Sequence, residues 1–249
     1  MTKVLIWGIN GKMGKTLVNT ACTLPDIEIV GGFDMQQAKS DSGCKVFSNP
    51  AKIDADYDVI VDFSHASSID GIVIASAKKP RPVVIASTGH DARQKIKIDE
   101  LARAVPVFLS GNMSVGVSLI CSLVRQAANA LFGWDVEIVE KHHNQKADAP
   151  SGTAKMLADS VNEGLSQPRL LTYGRTGQSK RSPFEIGIHA IRGGTIIGEH
   201  DVIFAGADET VTISHTALSR RIFALGAFRA AVYLIGKPPG TYDMEDMLG

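Results

Sequence analysis

Between Glu140 and Ala154 the chain reads EKHHNQKADAPSGTA, which brings two histidines, a lysine and a Ser-Gly-Thr helix start into one short stretch. Each supplies something different. An imidazole titrates near neutral pH, a lysine carries a mobile point cation, and the amides at a helix start have no intrahelical partner and bind anions. Together they suit a small anionic substrate that must receive a proton. On an extended strand end His142 and His143 point to opposite sides, so at most one faces the reacting atom while the other packs or contacts a different substrate group. Lys146 follows in a loop. The amides of Ser151, Gly152 and Thr153 then form a carboxylate cradle, with two hydroxyls as further donors. The plain alternative is a solvated turn before a capped helix, and the neighbouring lysine and cradle argue against it. A zinc site would have to draw His189, His200 and His215 to this pair. No i, i+4 histidine pair or cysteine cluster supports one, so no metal is expected.

These residues must be held by the elements around them. Val4–Gly8 is an apolar run ending at a glycine-rich turn, and Lys12–Leu24 places Met13, Leu17, Val18 and Ala21 at helical spacing. Ile27–Phe33 returns as a second strand ending in Asp34, which completes a βαβ unit. Val59–Phe63, Val83–Ala86 and Val105–Leu109 read as further strands, with helical segments near Ser67–Lys78 and Asp91–Ala104. Continuous apolar strands are those buried on both faces, so a doubly wound parallel sheet of Rossmann type is expected.

The first turn, Gly8-Ile9-Asn10-Gly11-Lys12-Met13-Gly14, suits a dinucleotide. Gly8 permits the tight turn, Gly11 lets the backbone approach a pyrophosphate, Gly14 allows close helix–sheet packing, and Asp34 accepts from a ribose hydroxyl. Asn10 stands where the commoner spacing has a second glycine, and asparagine tolerates left-handed backbone better than most residues. Asp34 favours the unphosphorylated ribose of NADH, and Met35-Gln36-Gln37 offers no arginine for a 2′-phosphate. Lys12, Lys15 and Lys39 keep NADPH open.

The second half changes character. Gly111–Phe132 reads as a helix, and Trp134–Glu140 alternates as a half-buried strand, with Asp135 and Glu137 opposite Val136 and Ile138. Ser151–Leu165 reads as a helix with Ser151 as its N-cap. Glu185–Arg192, Thr195–Phe204 and Thr210–Thr216 have strand-like content, and Arg221–Ile235 gives a closing helix. The expected fold is therefore α/β, a Rossmann-type doubly wound parallel sheet plus a second α+β domain with an open mixed sheet. Residues 1–113 and 220–249 form the dinucleotide-binding domain, and 114–219 the substrate-binding and oligomerisation domain. Closure on substrate is expected about hinges near Ser114 and Ser219. An edge-rich sheet is covered or pairs with a copy of itself, which points to a closed homo-oligomer.

Twenty-six basic residues balance twenty-six acidic ones, and no basic run is visible, which argues against a nucleic-acid partner. Cys22, Cys44 and Cys121 are widely spaced and include no C-x-x-C pair, so they read as free thiols. With no leader pattern and no apolar stretch of membrane-spanning length, a cytoplasmic protein with a small-molecule partner and no membrane is expected.

Over essentially its whole length the sequence resembles the 4-hydroxy-tetrahydrodipicolinate reductase family, also called dihydrodipicolinate reductase, of the diaminopimelate route to lysine. The family pattern E-x-H-H-x-x-K-x-D-A-P-S-G-T-A is matched by Glu140, His142, His143, Lys146 and Asp148–Ala154, and G-x-x-G-x-M-G by Gly8, Gly11, Met13 and Gly14. VDFS at Val61–Ser64, STG at Ser87–Gly89, NMSVG at Asn112–Gly116 and IRGGTIIGEHDVIFAG at Ile191–Gly206 are similar as well. Ala86-Ser87-Thr88 replaces the usual Gly-Thr-Thr, Met113 a common Phe and Ser64 a common Thr.

The resemblance implies that His142 is the proton donor and Lys146 its partner in substrate binding and protonation. It also implies that His143 contacts the substrate, that Gly152 and Thr153 hold one carboxylate beside the Ser151 helix start, and that the substrate is a small cyclic dicarboxylate. Gly8, Ile9, Asn10, Gly11, Lys12, Met13, Asp34, Ala86, Ser87, Thr88, Ser110, Gly111, Asn112 and Met113 would line the dinucleotide, for which the acid at Asp34 favours NADH over NADPH. The implied assembly is a homotetramer. Two other readings share parts of the pattern. Another nicotinamide-dependent C=N or C=C reductase, such as an amino-acid dehydrogenase, shares the glycine turn but does not require KADAPSGTA. A non-catalytic NAD(H)-binding sensor has no reason to keep His142 with Lys146.

Overall fold

The first apolar run forms β1 (Thr2–Trp7), whose residues Val4–Trp7 are all buried. Gly8, at φ +83°, turns the chain into α1 (Lys12–Ala21). The alternation continues through β2 (Ile27–Phe33), β3 (Val46–Phe47), β4 (Val59–Asp62), α2 (Ile69–Lys78), β5 (Val83–Ile85), α3 (Ala92–Ala102) and β6 (Pro106–Leu109). Next come α4 (Val115–Ala130), β7 (Asp135–His142), α5 (Gly152–Gly164), β8 (Leu170–Tyr173), β9 (Glu185–Arg192), β10 (Gly198–Ala205) and β11 (Thr210–Ala217). The chain closes with α6 (Arg221–Leu234), β12 (Gly240–Tyr242) and α7 (Met244–Leu248). This computed structural model describes residues 1–35 and 43–249, so Gln36, Gln37 and Lys39 of the cofactor argument lie outside the described residues. Among those described, no helix is long and apolar enough to cross a membrane.

The chain divides into two compact units, Met1–Ser114 with Arg220–Gly249, and Val115–Ser219. In the first, seven strands run in the order β12-β6-β5-β4-β1-β2-β3, and every neighbouring pair is parallel. The order reverses direction between β1 and β4, where the carboxyl ends of such a sheet leave a crevice. All residues of β4 and β5 are buried, as a sheet covered on both faces requires. Trp7 stacks on Phe33 with ring centroids 4.0 Å apart, inside a core that takes in Ile60, Ile72, Val83 and Val107.

The second unit has a mixed sheet in the order β11-β10-β7-β9-β8. β10 is antiparallel to both β7 and β11, while β7, β9 and β8 run parallel. Val136 and Ile138 of β7, Ile188 of β9 and Phe204 of β10 meet Val124 of α4 and Leu157 of α5 in one core. Burying each such side chain contributes about 1.5–3 kcal/mol.

Some boundaries differ from the sequence reading. The helix expected from Gly111 starts at Val115, because the Ser110 hydroxyl donates to the Asn112 carbonyl and the Asn112 side chain accepts the Ser114 amide, which holds a turn there. The strand expected from Thr195 starts at Gly198. β3, β8, β12 and α7 were not anticipated: they are at most five residues long, too short for a periodicity to register.

Candidate active site

Along β7 the inward face carries Val136, Ile138, Glu140 and His142 in alternation. Two apolar positions are thus followed by a carboxylate with no solvent exposure and an imidazole that is 8% exposed. Such a carboxylate must be paired, and four hydrogen bonds converge on it. Nδ1 of His142 lies 2.6 Å from Oε2 of Glu140. Arg192, at the end of β9, donates from Nη1 to Oε2 at 2.8 Å and from Nη2 to Oε1 at 2.7 Å. The Ser151 amide donates to Oε1 at 3.0 Å. Burial pushes the Glu140 carboxyl up, but the bonds from Arg192, His142 and Ser151 outweigh it and hold Glu140 below the ordinary carboxylate range. For His142 burial wins, and it lowers the imidazole below its ordinary value against the pull of Glu140.

The helix start beside this group is built as the sequence suggests. Ser151 caps α5, its hydroxyl accepting the Ala154 amide at 3.1 Å and sharing a 3.0 Å bond with Nε2 of His200. Both the amide and the hydroxyl of Ser151 are therefore engaged inside the protein, while Gly152 is exposed and a Cβ there would meet nothing within 4 Å. His143 follows the end of β7 and is partly exposed. Lys146 is tied to Asp148 at 2.8 Å, and its amide donates to the His143 carbonyl at 3.1 Å, which folds this loop back on itself. Arg192 also donates to the Asp148 carbonyl at 2.8 Å and so ties the loop to β9. Gly198 opens β10 beside His142, and a Cβ there would lie 3.1 Å from Nε2 of His142. The arrangement presents one imidazole whose exchangeable position is Nε2, one ammonium and one helix N-terminus.

In the other unit the glycine turn is tightly packed. A Cβ on Gly8 would meet Cβ of Ser64 at 3.0 Å, and a Cβ on Gly14 would overlap the carbonyl oxygens of Gly8 and Ile9. Gly11 begins α1 without a side-chain cap, in contrast to Asp91 at α3 and Ser151 at α5. Asp34 accepts the Asn10 amide at 3.2 Å, which pins the acid to the turn. Ile9 is buried against Gly32. Lys12 and Met13 belong to the first turn of α1.

The Ala86-Ser87-Thr88 and Ser110-Gly111-Asn112-Met113 segments follow the carboxyl ends of the neighbouring strands β5 and β6. They also approach one another, since a Cβ on Gly111 would lie 3.5 Å from Cγ2 of Thr88. Met113 is buried, with its carbonyl against Gly226. Ser87 is buried too, donating to Oδ2 of Asp62 at 2.5 Å. Asp62 also accepts from the Ser64 amide at 2.9 Å and the Ser64 hydroxyl at 2.5 Å. Burial pushes the Asp62 carboxyl up, against the bonds from Ser64 and Ser87.

The sequence assigns no task to Glu140, Arg192 or Asp62, and His200 enters there only as a zinc ligand that the spacing does not support and as a hydrogen-bonded sheet residue. The period of two on β7 already put Glu140 on the apolar face with Ile138, where a carboxylate demands partners. Asp62 ends an otherwise apolar strand in the same way.

A parallel sheet that opens on a glycine turn, continued in one chain by a mixed-sheet unit that buries a carboxylate-held histidine, defines a Rossmann-type α/β protein with an appended α+β unit. Two family models divide the chain along the same lines: "Dihydrodipicolinate reductase, N-terminus" matches residues 2–113, and "Dihydrodipicolinate reductase, C-terminus" matches 116–248. The chain belongs to the dihydrodipicolinate reductase family. A protein of Caldanaerobacter subterraneus subsp. tengcongensis named 4-hydroxy-tetrahydrodipicolinate reductase is 48% identical, the match covering 100% of this chain and 98% of that one. A Clostridium botulinum protein of the same name is 45% identical, with 100% and 99% covered. Among solved structures, a dipicolinate-bound dihydrodipicolinate reductase from Paenisporosarcina sp. TG-14 superposes with a TM-score of 0.79 over 98% of this chain and 97% of that one, at 24% identity. That likeness is one of fold.

Proposed function

We propose that the protein reduces 4-hydroxy-tetrahydrodipicolinate, after its 4-hydroxyl leaves as water, to tetrahydrodipicolinate with NAD(P)H, a step of lysine biosynthesis through diaminopimelate. The observation that carries the reading is the bond from Nδ1 of His142 to the buried Glu140 carboxylate, beside a helix start and a lysine. A carboxylate only accepts, so the facing nitrogen carries hydrogen and Nε2 is where the imidazole gains or gives a proton. His142 gives that proton to the carbon next to the one reduced. General acid catalysis of this kind contributes on the order of 10²–10⁴ in rate. Lys146 offers its charge to a substrate carboxylate and to the negative charge that develops as the ring is reduced. Gly152 and Thr153 hold the other carboxylate at the start of α5, His143 contacts the ring substituents, and Ser151 keeps that helix start in place.

A bound reduced nicotinamide supplies the hydride. Gly8, Ile9, Asn10, Gly11, Lys12 and Met13 would hold its pyrophosphate, and Asp34 would accept from the adenosine ribose, which favours NADH. Ala86, Ser87, Thr88 and Ser110–Met113 would bound the nicotinamide end. The substrate domain also serves assembly: Leu170, Tyr173 and Phe184 lie exposed at and near its β8 edge, which suits a closed homo-oligomer, a tetramer, in the cytoplasm.

Two variants test the assignment. His142→Gln and Lys146→Ala are each expected to cut turnover by about 10²-fold or more while NADH affinity stays near wild type. Unchanged turnover in both removes it.

A further inference from the structure

Glu140 is the most completely enclosed charge of the site, and it is not placed to touch substrate. Its two oxygens are used up by His142, by both terminal nitrogens of Arg192 and by the Ser151 amide. The Arg192 pair is bidentate, the geometry in which a guanidinium holds a carboxylate plane most firmly. That plane in turn fixes the ring it accepts from.

We propose that Glu140 and Arg192 together are positioning residues for His142: the carboxylate holds the hydrogen on Nδ1 and leaves Nε2 as the exchanging atom, and the guanidinium keeps that carboxylate oriented and limits how strongly it favours the imidazolium. This rests on the reading of His142 as proton donor.

The charged and titratable groups around His142 come from four strands and one loop. Glu140 shares its strand, and Arg192 reaches it from β9. Lys146 lies in the loop that follows β7. His200 of β10 stands edge-on, with ring centroids 5.2 Å apart at 75°, and His215 of β11 is paired with His200. Glu140 alone among them favours the charged ring, while Arg192 and Lys146 oppose it. His200 is buried and stays neutral down to about pH 4, so it packs against the ring without adding charge at working pH. Glu140 and Arg192 therefore pull the imidazole in opposite directions, and the bond that the ring itself makes from Nδ1 to Oε2 is what sets this pair apart from one that only joins β7 to β9.

Long-range proton–nitrogen correlation spectra of histidine-labelled full-length protein, recorded across pH, test the proposal directly. In the wild type, neutral His142 is expected with its hydrogen on Nδ1, and a dominant Nε2–H form would overturn the proposal. Glu140→Gln is expected to lower the His142 pKa by about one unit or more and kcat by about 10- to 100-fold, with the KM of the dicarboxylate near wild type. Arg192→Gln is expected to raise the same pKa. Shifts of the same sign in both variants, or none, would overturn the proposal. If Glu140→Gln does not fold, the wild-type tautomer and the Arg192→Gln shift decide it. The spectra need no substrate, so a wild-type protein without turnover would count against the proposed reaction and leave the tautomer result standing.

Discussion

The hydroxyl of Ser151 lies 3.0 Å from Nε2 of His200, so the residue that caps α5 is tied to the strand behind His142. The other ring nitrogen of His200 is buried with no hydrogen-bond partner among the described residues. A ring in that position resists protonation, and burial brings its pKa to about 4 from an ordinary 6.5. An unfolded chain therefore binds a proton at this histidine that the folded one refuses. The stability it contributes is whole above pH 6.5 and is lost as pH falls towards 4, by about 3 kcal/mol. His142 and His215, also lowered by burial, act in the same sense. Urea unfolding at pH 7 and at pH 4.5 should show this loss, and His200→Gln should flatten it. A variant with the wild-type pH slope would contradict the account.

Gly14 is where a side chain has least room in the nucleotide turn. Its Cβ would overlap the carbonyl oxygens of Gly8 and Ile9, which are backbone atoms and cannot swing aside. Gly14→Ala is expected to destabilise the protein by about 1–3 kcal/mol and to weaken NADH binding. Thermal unfolding and a fluorescence titration check both, and an unchanged midpoint with unchanged affinity would count against the packing argument.

Under the proposed function Asp34 would carry the choice of cofactor. Its carboxylate is held to the turn through the Asn10 amide, where it would accept from a ribose hydroxyl and repel a phosphate. The wild type is expected to bind NADH more tightly than NADPH. Asp34→Asn should weaken NADH by about 10-fold, the worth of one hydrogen bond to a charged group, and narrow the ratio of the two. Equal ratios in wild type and variant would place the preference elsewhere.

The nucleotide half was legible because its signals are local: an apolar strand, glycines at the spacing of a tight turn, and an acid at the end of the next strand all fall within Val4–Asp34. The candidate residues His142, His143, Lys146 and Ser151–Thr153 stand in one run, which is why the sequence alone offers them as a candidate site. Arg192 was not, since it is fifty-two residues from Glu140 and meets it only because β9 pairs in parallel with β7, a register that no local pattern encodes. His200 reaches Ser151 across forty-nine residues through the antiparallel β10–β7 pairing. Ser151 was expected as a donor to substrate through its amide, but that amide is taken by Glu140, which only the closed fold brings beside it.

Nicotinamide absorbance follows the proposed reaction itself. Purified protein would be given NADH or NADPH in parallel, with 4-hydroxy-tetrahydrodipicolinate generated in place by a coupled synthase from pyruvate and aspartate semialdehyde. Cofactor oxidation that depends on the synthase, faster with NADH than with NADPH, is expected. No oxidation with either cofactor, from protein shown to bind NADH, would contradict it.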